Sequence, residues 1–173
     1  MRVSIIRAMI TVLLCSVGGL LWSASSSLTV GIWSLPSDNP VLETATRGYL
    51  GLTTGLSPRL ELEVFTLLQA TPQPLADIHG GGALTFAVSA ARELPDNQAT
   101  SFLHTYLSVG VVQGLRGSDS TAVFLRFTPL SIGGPYYKTR ERAASVGLLY
   151  DFRQEALTVF WNLFLLDVYS PTK

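Results

Sequence analysis

The chain is poor in charged residues, and lysine is almost missing from it. Charged side chains make up 14% of the 173 residues, against about 25% in an ordinary soluble domain, and the lysines are Lys138 and Lys173. Basic and acidic residues balance at 12 each, which excludes the strongly basic surface of a nucleic-acid-binding protein. A domain of this composition has too little charge to cover a water-exposed surface in the usual way.

The first residues have the three-part layout of a secretory signal peptide. Arg2 and Arg7 precede an apolar run from Ala8 to Trp22, and small residues follow it. This arrangement predicts a signal peptide over residues 1–25, removed from a single mature domain of residues 26–173. A permanent N-terminal anchor is the alternative, but the apolar run is short for a span of about 20 residues.

Cysteine would then be missing from the mature domain. Cys15 is the single cysteine and lies inside the predicted signal peptide. Leu14 precedes it, where lipoprotein processing requires a small residue, so a lipid anchor is not expected. The fold therefore does not depend on a disulfide, and the sequence predicts no cysteine redox centre, no metal site and no cofactor.

Alternation with period two is the main structural signal. It recurs in about eight segments divided by turn-forming residues, and no segment of the mature chain reaches the roughly 18 apolar residues of a membrane-spanning helix. The predicted strands are Leu28–Ser34, Thr46–Leu56, Arg59–Ala70, Ala83–Arg92, Ser101–Gly114, Thr121–Leu130, Arg140–Phe152 and Glu155–Tyr169. This pattern predicts an all-β, eight-stranded antiparallel barrel.

The two faces of these strands differ in an unusual way. The segment from Leu60 to Val64 alternates leucine or valine with Glu61 and Glu63, so the apolar residues point one way and the glutamates the other. Across all strands the second face is mostly Gly, Ala, Ser and Thr with a few charges. Small residues fit a narrow lumen, and an apolar outer face fits lipid, which favours a transmembrane barrel. A soluble lipocalin-like barrel or β-sandwich, with the apolar face inside and an apolar ligand bound there, is the alternative.

The signal peptide, the eight alternating strands and the aromatic C-terminal strand resemble the small outer-membrane β-barrel superfamily of OmpA-, OmpX- and OmpW-like proteins. Tyr169 matches the terminal aromatic residue of such barrels, with Leu165, Leu163 and Trp161 at alternate positions before it, although Asp167 interrupts the pattern. The resemblance implies the outer membrane of a diderm bacterium and insertion by the barrel-assembly machinery. It also implies outer-membrane lipid as a partner and, from the OmpW-like members, passage of a small hydrophobic molecule.

Charged and polar residues of the second face form the candidate site. An eight-stranded interior is only wide enough for side chains, so buried charges there must pair. The sequence predicts a polar network in the lumen, composed of Glu61, Glu63, His104, Tyr106, Arg126 and Glu141. Such a network either fills the barrel and fixes strand register or forms a gate or small-solute site.

A catalytic role is not expected. His104 and Ser108 share a face, but four residues of strand separate them by about 13 Å, too far for a base to activate a nucleophile. His79 lies in a segment rich in Gly and Pro, which predicts a solvent-exposed loop. We therefore expect an envelope-structural or surface-exposed protein, and a lipid-modifying enzyme is the less favoured alternative.

Several aromatic residues are candidates for the interfacial belts of a membrane barrel, and ordinary strand aromatics are the alternative interpretation. Such belts place amphipathic rings at the level of the lipid headgroups. The candidates are Trp33, Tyr150, Trp161 and Tyr169.

Overall fold

A computed structural model describes residues 26–35, 45–57, 59–69, 77–88, 103–117, 120–134 and 138–170. The predicted signal peptide, residues 1–25, lies outside the described residues. Within those ranges, no helix has the length and apolarity needed to span a membrane.

The described chain forms eight strands of 10 to 14 residues. They are β1 (Ser26–Leu35), β2 (Ala45–Ser57), β3 (Leu60–Gln69), β4 (Ile78–Ala87), β5 (Leu103–Arg116), β6 (Thr121–Gly134), β7 (Thr139–Asp151) and β8 (Ala156–Tyr169). Each strand pairs antiparallel with the next, and β1 pairs with β8 to close the barrel. The prediction of an all-β, eight-stranded antiparallel barrel is therefore confirmed.

The barrel has two rims, which we name by what lies there. The termini end carries the start of β1 and the end of β8, and the far end carries the turns from β5 to β6 and from β7 to β8. Asp151 Oδ1 accepts hydrogen bonds from the backbone N–H groups of Arg153 and Gln154, and Glu155 has a left-handed φ of 51°. This side-chain capping shapes a tight β7–β8 turn.

Apolar side chains point outward and polar or aromatic ones point inward. Leu84, Val109, Leu125, Leu148 and Val159 pair in register across β4 to β8, and all five are exposed on the outer wall. The alternation along β6 is regular over its first half, with every second residue buried. The leucine-rich face of the sequence is therefore the outer face.

A row of β-bulges crosses three neighbouring strands near the termini end. Buried interior residues are spaced three apart there instead of two: Thr128 and Ser131 in β6, Arg142 and Ser145 in β7, and Asn162 and Leu165 in β8. The pairing register shifts on both flanks of the row, between β5 and β6 and between β8 and β1. Pro129 lies at the bulge in β6. Ala144 lies at the bulge in β7 and has a left-handed φ of 51°. Because each bulge inserts a residue, the alternation of inside and outside reverses beyond it.

This reversal corrects three assignments made from the alternation. Glu141 is exposed on the outer wall and not in the lumen, whereas Arg140 and Arg142 on either side of it are buried inside. Leu165 and Tyr169, expected on the outer face, are also buried inside. An unbroken period-two reading places all of these residues on the wrong face.

Strand β4 begins five residues earlier than expected. It starts at Ile78 and not at Ala83, so that His79 and three consecutive glycines lie in the sheet. The middle glycine, Gly81, faces the interior, where an added Cβ would lie 2.5 Å from Cζ of Phe65. Glycine is used here to admit an aromatic ring and not to form a loop.

The same packing makes a prediction at Gly147, which lies under the ring of Phe160. A Cβ at Gly147 would lie 2.4 Å from Phe160 Cε1 and 2.5 Å from the backbone oxygen of Leu125. We expect Gly147→Ala to lower the free energy of unfolding by about 1–3 kcal/mol through overpacking, measured by urea titration in detergent. In Gly48→Ala, the matched control, the nearest atom to the new Cβ is 3.7 Å away, so stability should stay the same or rise by up to about 1 kcal/mol. Equal effects of the two changes would contradict this account.

Candidate functional site

The barrel interior is filled by three groups of side chains. The charged layer, nearest the termini end, consists of Glu61, Glu63, Arg126, Arg140, Arg142 and Asp167. The aromatic layer, next along the axis, consists of Trp33, Tyr49, Phe65, Phe124 and Phe160. The mouth cluster, toward the far end, consists of Arg47, Asp77, His79 and Ser120.

Arg140 anchors the outer part of the charged layer. Its Nε donates to Asp167 Oδ2 at 2.6 Å, and its two terminal nitrogens donate to the two carboxylate oxygens of Glu61 at 2.7 and 2.8 Å. Nη1 also donates to the hydroxyl of Tyr106 at 2.9 Å. Two-pronged contacts of this kind fix the orientation of both partners as well as their charge.

Arg142 and Arg126 share a second carboxylate deeper in the layer. Arg142 Nη2 donates to Glu63 Oε1 and to Asp167 Oδ1, both at 2.8 Å. Arg126 Nη2 donates to Glu63 Oε2 at 2.5 Å and to Ser108 Oγ at 3.2 Å. Glu63 and Asp167 thereby join strands on opposite sides of the barrel into one network.

The charged layer is balanced, with three guanidinium groups against three carboxylates. An unpaired charge in such an enclosed place would cost several kcal/mol, whereas each group here has an opposite charge within hydrogen-bonding distance. Thr29 adds a further hydrogen bond to Asp167 Oδ1 at 2.6 Å. The layer ties β1, β3, β6, β7 and β8 together through their side chains.

The structure brings four of the six predicted lumen residues into this layer or onto it: Glu61, Glu63, Tyr106 and Arg126. His104 is half-buried, with its ring 6.0 Å from that of Tyr106, and Glu141 lies outside the barrel. Sequence reasoning missed Arg140, Arg142 and Asp167, because all three lie beyond the bulges. The available signal was Pro129, since a proline within a strand is found at bulges or edges.

The aromatic layer is centred on Trp33, which is fully buried. Its ring centroid lies 4.7 Å from that of Phe160, 5.2 Å from Phe124, 5.4 Å from Phe65 and 5.9 Å from Tyr49. Rings at these distances and tilted angles pack favourably. With their buried neighbours, these rings form the hydrophobic cluster of the barrel interior.

Two of the four predicted interfacial aromatics are therefore inside the barrel. Trp33 has the same parity along β1 as the buried Thr29, so it faces the lumen. Tyr169 lies beyond the β8 bulge, with its ring 5.6 Å from the Arg140 guanidinium. Tyr150 and Trp161 are exposed on the outer wall, as interfacial residues would be.

His79 is the hub of the mouth cluster and is buried, which corrects its expected place in an exposed loop. Arg47 Nη1 donates to Asp77 Oδ2 at 2.6 Å and lies 3.2 Å from His79 Nδ1. Asp77 Oδ1 lies 3.4 Å from the same Nδ1, and Ser120 Oγ lies 3.5 Å from His79 Nε2. These contacts join β2, β4 and the start of β6 at the far mouth.

Asp77 contacts His79, and His79 contacts Ser120, which is the sequence of acid, base and nucleophile found in a catalytic triad. Arg47, however, is closer than the carboxylate to Nδ1 of His79. A guanidinium only donates, so it can bond Nδ1 only when that nitrogen is unprotonated. In that tautomer Nε2 carries the proton, and the Ser120 hydroxyl would accept a hydrogen bond from it. The contacts of His79 thus hold β2, β4 and the start of β6 together at the mouth.

Several buried polar atoms lie where the charged and aromatic layers meet. Trp33 and Asn162 are cross-strand partners, and Arg126 lies on the same interior wall two strands away, beyond β7. Five atoms of these residues lack a hydrogen-bond partner among the described residues: Trp33 Nε1, Asn162 Oδ1 and Nδ2, and Arg126 Nε and Nη1. At about 1–3 kcal/mol for each unsatisfied group, a dry junction would cost roughly as much as the 5–15 kcal/mol of net stability of a typical domain.

Comparisons with protein-family models, with curated protein sequences and with solved structures find no match to this chain. In the part of the chain that the structure describes, no group of three or more His, Cys, Asp or Glu residues is arranged to hold a metal ion.

The charged layer predicts strong coupling between its members. We expect Arg126→Met to lower the free energy of unfolding by about 3–5 kcal/mol, because it leaves Glu63 with one cation and the layer with an excess negative charge. The double variant Glu63→Gln/Arg126→Met restores the balance and should be less unstable than the sum of the two single variants by about 0.5–3 kcal/mol. Urea titrations of the four proteins in detergent measure this coupling.

Arg116→Met is the matched control, because Arg116 is exposed at the end of β5. Its effect should stay within about 0.5 kcal/mol. Strict additivity of the Glu63 and Arg126 changes would contradict a coupled layer.

Proposed function

We propose that this protein is an integral outer-membrane β-barrel whose interior is a solid structural core, with a non-catalytic role in the envelope. The observation that carries the proposal is the inverted distribution of polarity. Balanced charges and packed rings fill the inside, while leucine, valine and phenylalanine cover the outside. Outer-membrane lipid is then its solvent, and the barrel-assembly machinery of a diderm bacterium its route of insertion.

The exposed apolar surface supports this proposal because it extends across many neighbouring strands of the barrel. The row from Leu84 through Val109 to Val159 is continuous across five strands, and Leu28 and Leu52 extend the apolar wall on β1 and β2. Soluble monomers rarely expose contiguous apolar patches larger than about 300–600 Å². In hydrocarbon the same wall is favourable, and a closed barrel satisfies every backbone group of the ladder. Strands of 10 to 14 residues meet the roughly 9–11 residues that a tilted spanning strand needs.

The interior supports a structural role over a transport role. An eight-stranded barrel leaves room only for side chains, and an aqueous pore needs about 16 strands. Here the charged layer and the rings around Trp33 occupy that room. Passage of a small hydrophobic molecule along the axis would have to displace the aromatic layer, so we place the role in the wall and at the two rims.

The same interior favours the membrane barrel over a soluble lipocalin-like barrel. A lipocalin-like carrier would keep an apolar cavity inside and a charged surface outside. Its apolar ligand would here meet Arg126, Arg140 and Arg142 in the lumen. The mouth cluster adds no support for an enzyme, because the contact of Arg47 with His79 Nδ1 favours the tautomer in which Nε2 already carries a proton.

Heat-modifiability on a gel tests the membrane barrel directly. We expect the detergent-refolded protein to run as a compact band that shifts on boiling, and to have a β-rich circular dichroism spectrum only in detergent or lipid. The reason is that the apolar wall needs a non-aqueous solvent. A monodisperse folded protein in plain buffer would rule the proposal out.

Two arginine substitutions on the outer face of β5 test the depth of the wall in a bilayer. Val109 lies at the middle of the strand, 57% exposed, and Leu115 lies near its far end, 61% exposed. In lipid vesicles, Val109→Arg should lower the free energy of unfolding by about 2–4 kcal/mol and Leu115→Arg by about 0–1 kcal/mol. Both substitutions would be nearly neutral on a wall facing water, so equal small effects would count against a membrane location.

A further inference from the structure

The junction between the charged and aromatic layers has the composition of a binding site for a small polar molecule. Trp33, Asn162 and Arg126 are each fully buried, and each carries at least one polar atom without a hydrogen-bond partner among the described residues. Register places them on neighbouring interior positions: Trp33 pairs with Asn162, and Asn162 pairs with Ser145. Ser145 Oγ lies 2.8 Å from Thr128 Oγ1, and Arg126 lies two residues before Thr128 on the same buried face of β6. The site is therefore built from four neighbouring strands, β1, β8, β7 and β6.

We propose that this junction is an internal water site, in which ordered water molecules bridge Trp33 Nε1, the amide of Asn162 and the guanidinium of Arg126. A buried water makes about three hydrogen bonds, so about two molecules satisfy the five unpartnered atoms. The proposal concerns the inside of the barrel and does not depend on which solvent covers the outside.

Charge decides between water and an anion at this site. Four of the five unpartnered atoms are nitrogens that donate, and such a donor-rich site could also suit a halide. The three arginines of the charged layer are, however, already balanced by three carboxylates. Arg126 itself is held by Glu63, so an added anion would lie close to a carboxylate. A neutral ligand fits this environment, and water both accepts and donates.

The site also has a sharp boundary on one side. The next interior residues toward the far end are Phe160 and Phe124, whose rings pack against Trp33. The bound water therefore lies at the inner limit of the polar part of the lumen that begins at the termini end. The aromatic layer begins directly beyond it. Because the three polar residues are fully buried, the water is held in place and exchanges only when the barrel opens locally.

Water contacts to the Trp33 indole give a direct test in the full-length protein refolded in detergent. The Trp33 Hε1 resonance is assigned by its loss in Trp33→Phe. We expect a nuclear Overhauser cross-peak between this proton and water, with the sign of a long-lived contact. A missing cross-peak, in a spectrum where exposed amides do show water contacts, would overturn the proposal.

Asn162→Leu tests whether the asparagine holds the water. The near-isosteric leucine removes two unpartnered atoms, so at a dry site it should leave stability unchanged or raise it. At a hydrated site the substitution removes the water that bonds Trp33 Nε1 and Arg126. We then expect the unfolding equilibrium constant to rise by tenfold or more and the cross-peak to be lost. Thr158→Leu, on the same strand and face but half-exposed, is the matched control and should change that constant by less than threefold.

Chloride distinguishes a bound anion. The proposal predicts that sodium chloride changes the unfolding constants of the unsubstituted protein and of Asn162→Leu by the same factor and without saturation. A saturable stabilisation by chloride that is lost in Asn162→Leu would overturn the water assignment in favour of a halide site. A stable Asn162→Leu protein would overturn it in favour of a dry junction.

Discussion

Charge balance in a narrow interior is the constraint on which the rest of this barrel depends. Three arginines and three carboxylates share a narrow interior, and removing any one of them leaves an uncompensated charge. Their contacts reach across the lumen, from Glu61 and Glu63 on β3 to Arg140 and Arg142 on β7. The network therefore fixes which strands face each other and in what register, independently of the backbone ladder.

The row of bulges is what makes this balance possible. Without the reversal at Ala144, Glu141 would face the lumen while Arg140 and Arg142 faced outward. The layer would then hold four carboxylates against one arginine, Arg126, and two arginines would lie on the apolar wall. The same reversal in β8 turns Asp167 inward and leaves Phe164 and Val168 outside. Asp167 would interrupt the outer apolar face of β8 if the strand had no bulge. With the bulge, Asp167 faces the lumen and the outer face stays apolar.

The sequence carries the fold more clearly than it carries the site. Period-two alternation was sufficient to predict eight strands, an apolar face and the interior location of Glu61, Glu63 and Arg126, because these residues lie in regular segments. It failed for Glu141, Tyr169 and Leu165, since one inserted residue inverts every later position in a strand. It failed differently for His79, where three glycines indicate a loop but in fact make room for neighbouring side chains. The position of a bulge and the use of glycine in a strand depend on side chains from other strands, so the sequence of one strand does not predict them.

The two interior layers solve different problems, and neither would suffice alone. A lumen filled only with ion pairs would need water to complete its hydrogen bonds, and Trp33, Asn162 and Arg126 are among the residues with unpartnered buried atoms. A lumen filled only with rings would lack the directional contacts that hold distant strands in one register. Placing the rings of Phe160 and Phe124 over Gly147 and Gly110 brings the aromatic layer close to the backbone and leaves no room for a continuous channel. The charged layer and the aromatic layer together therefore fill the described lumen from the termini end to the level of Trp33.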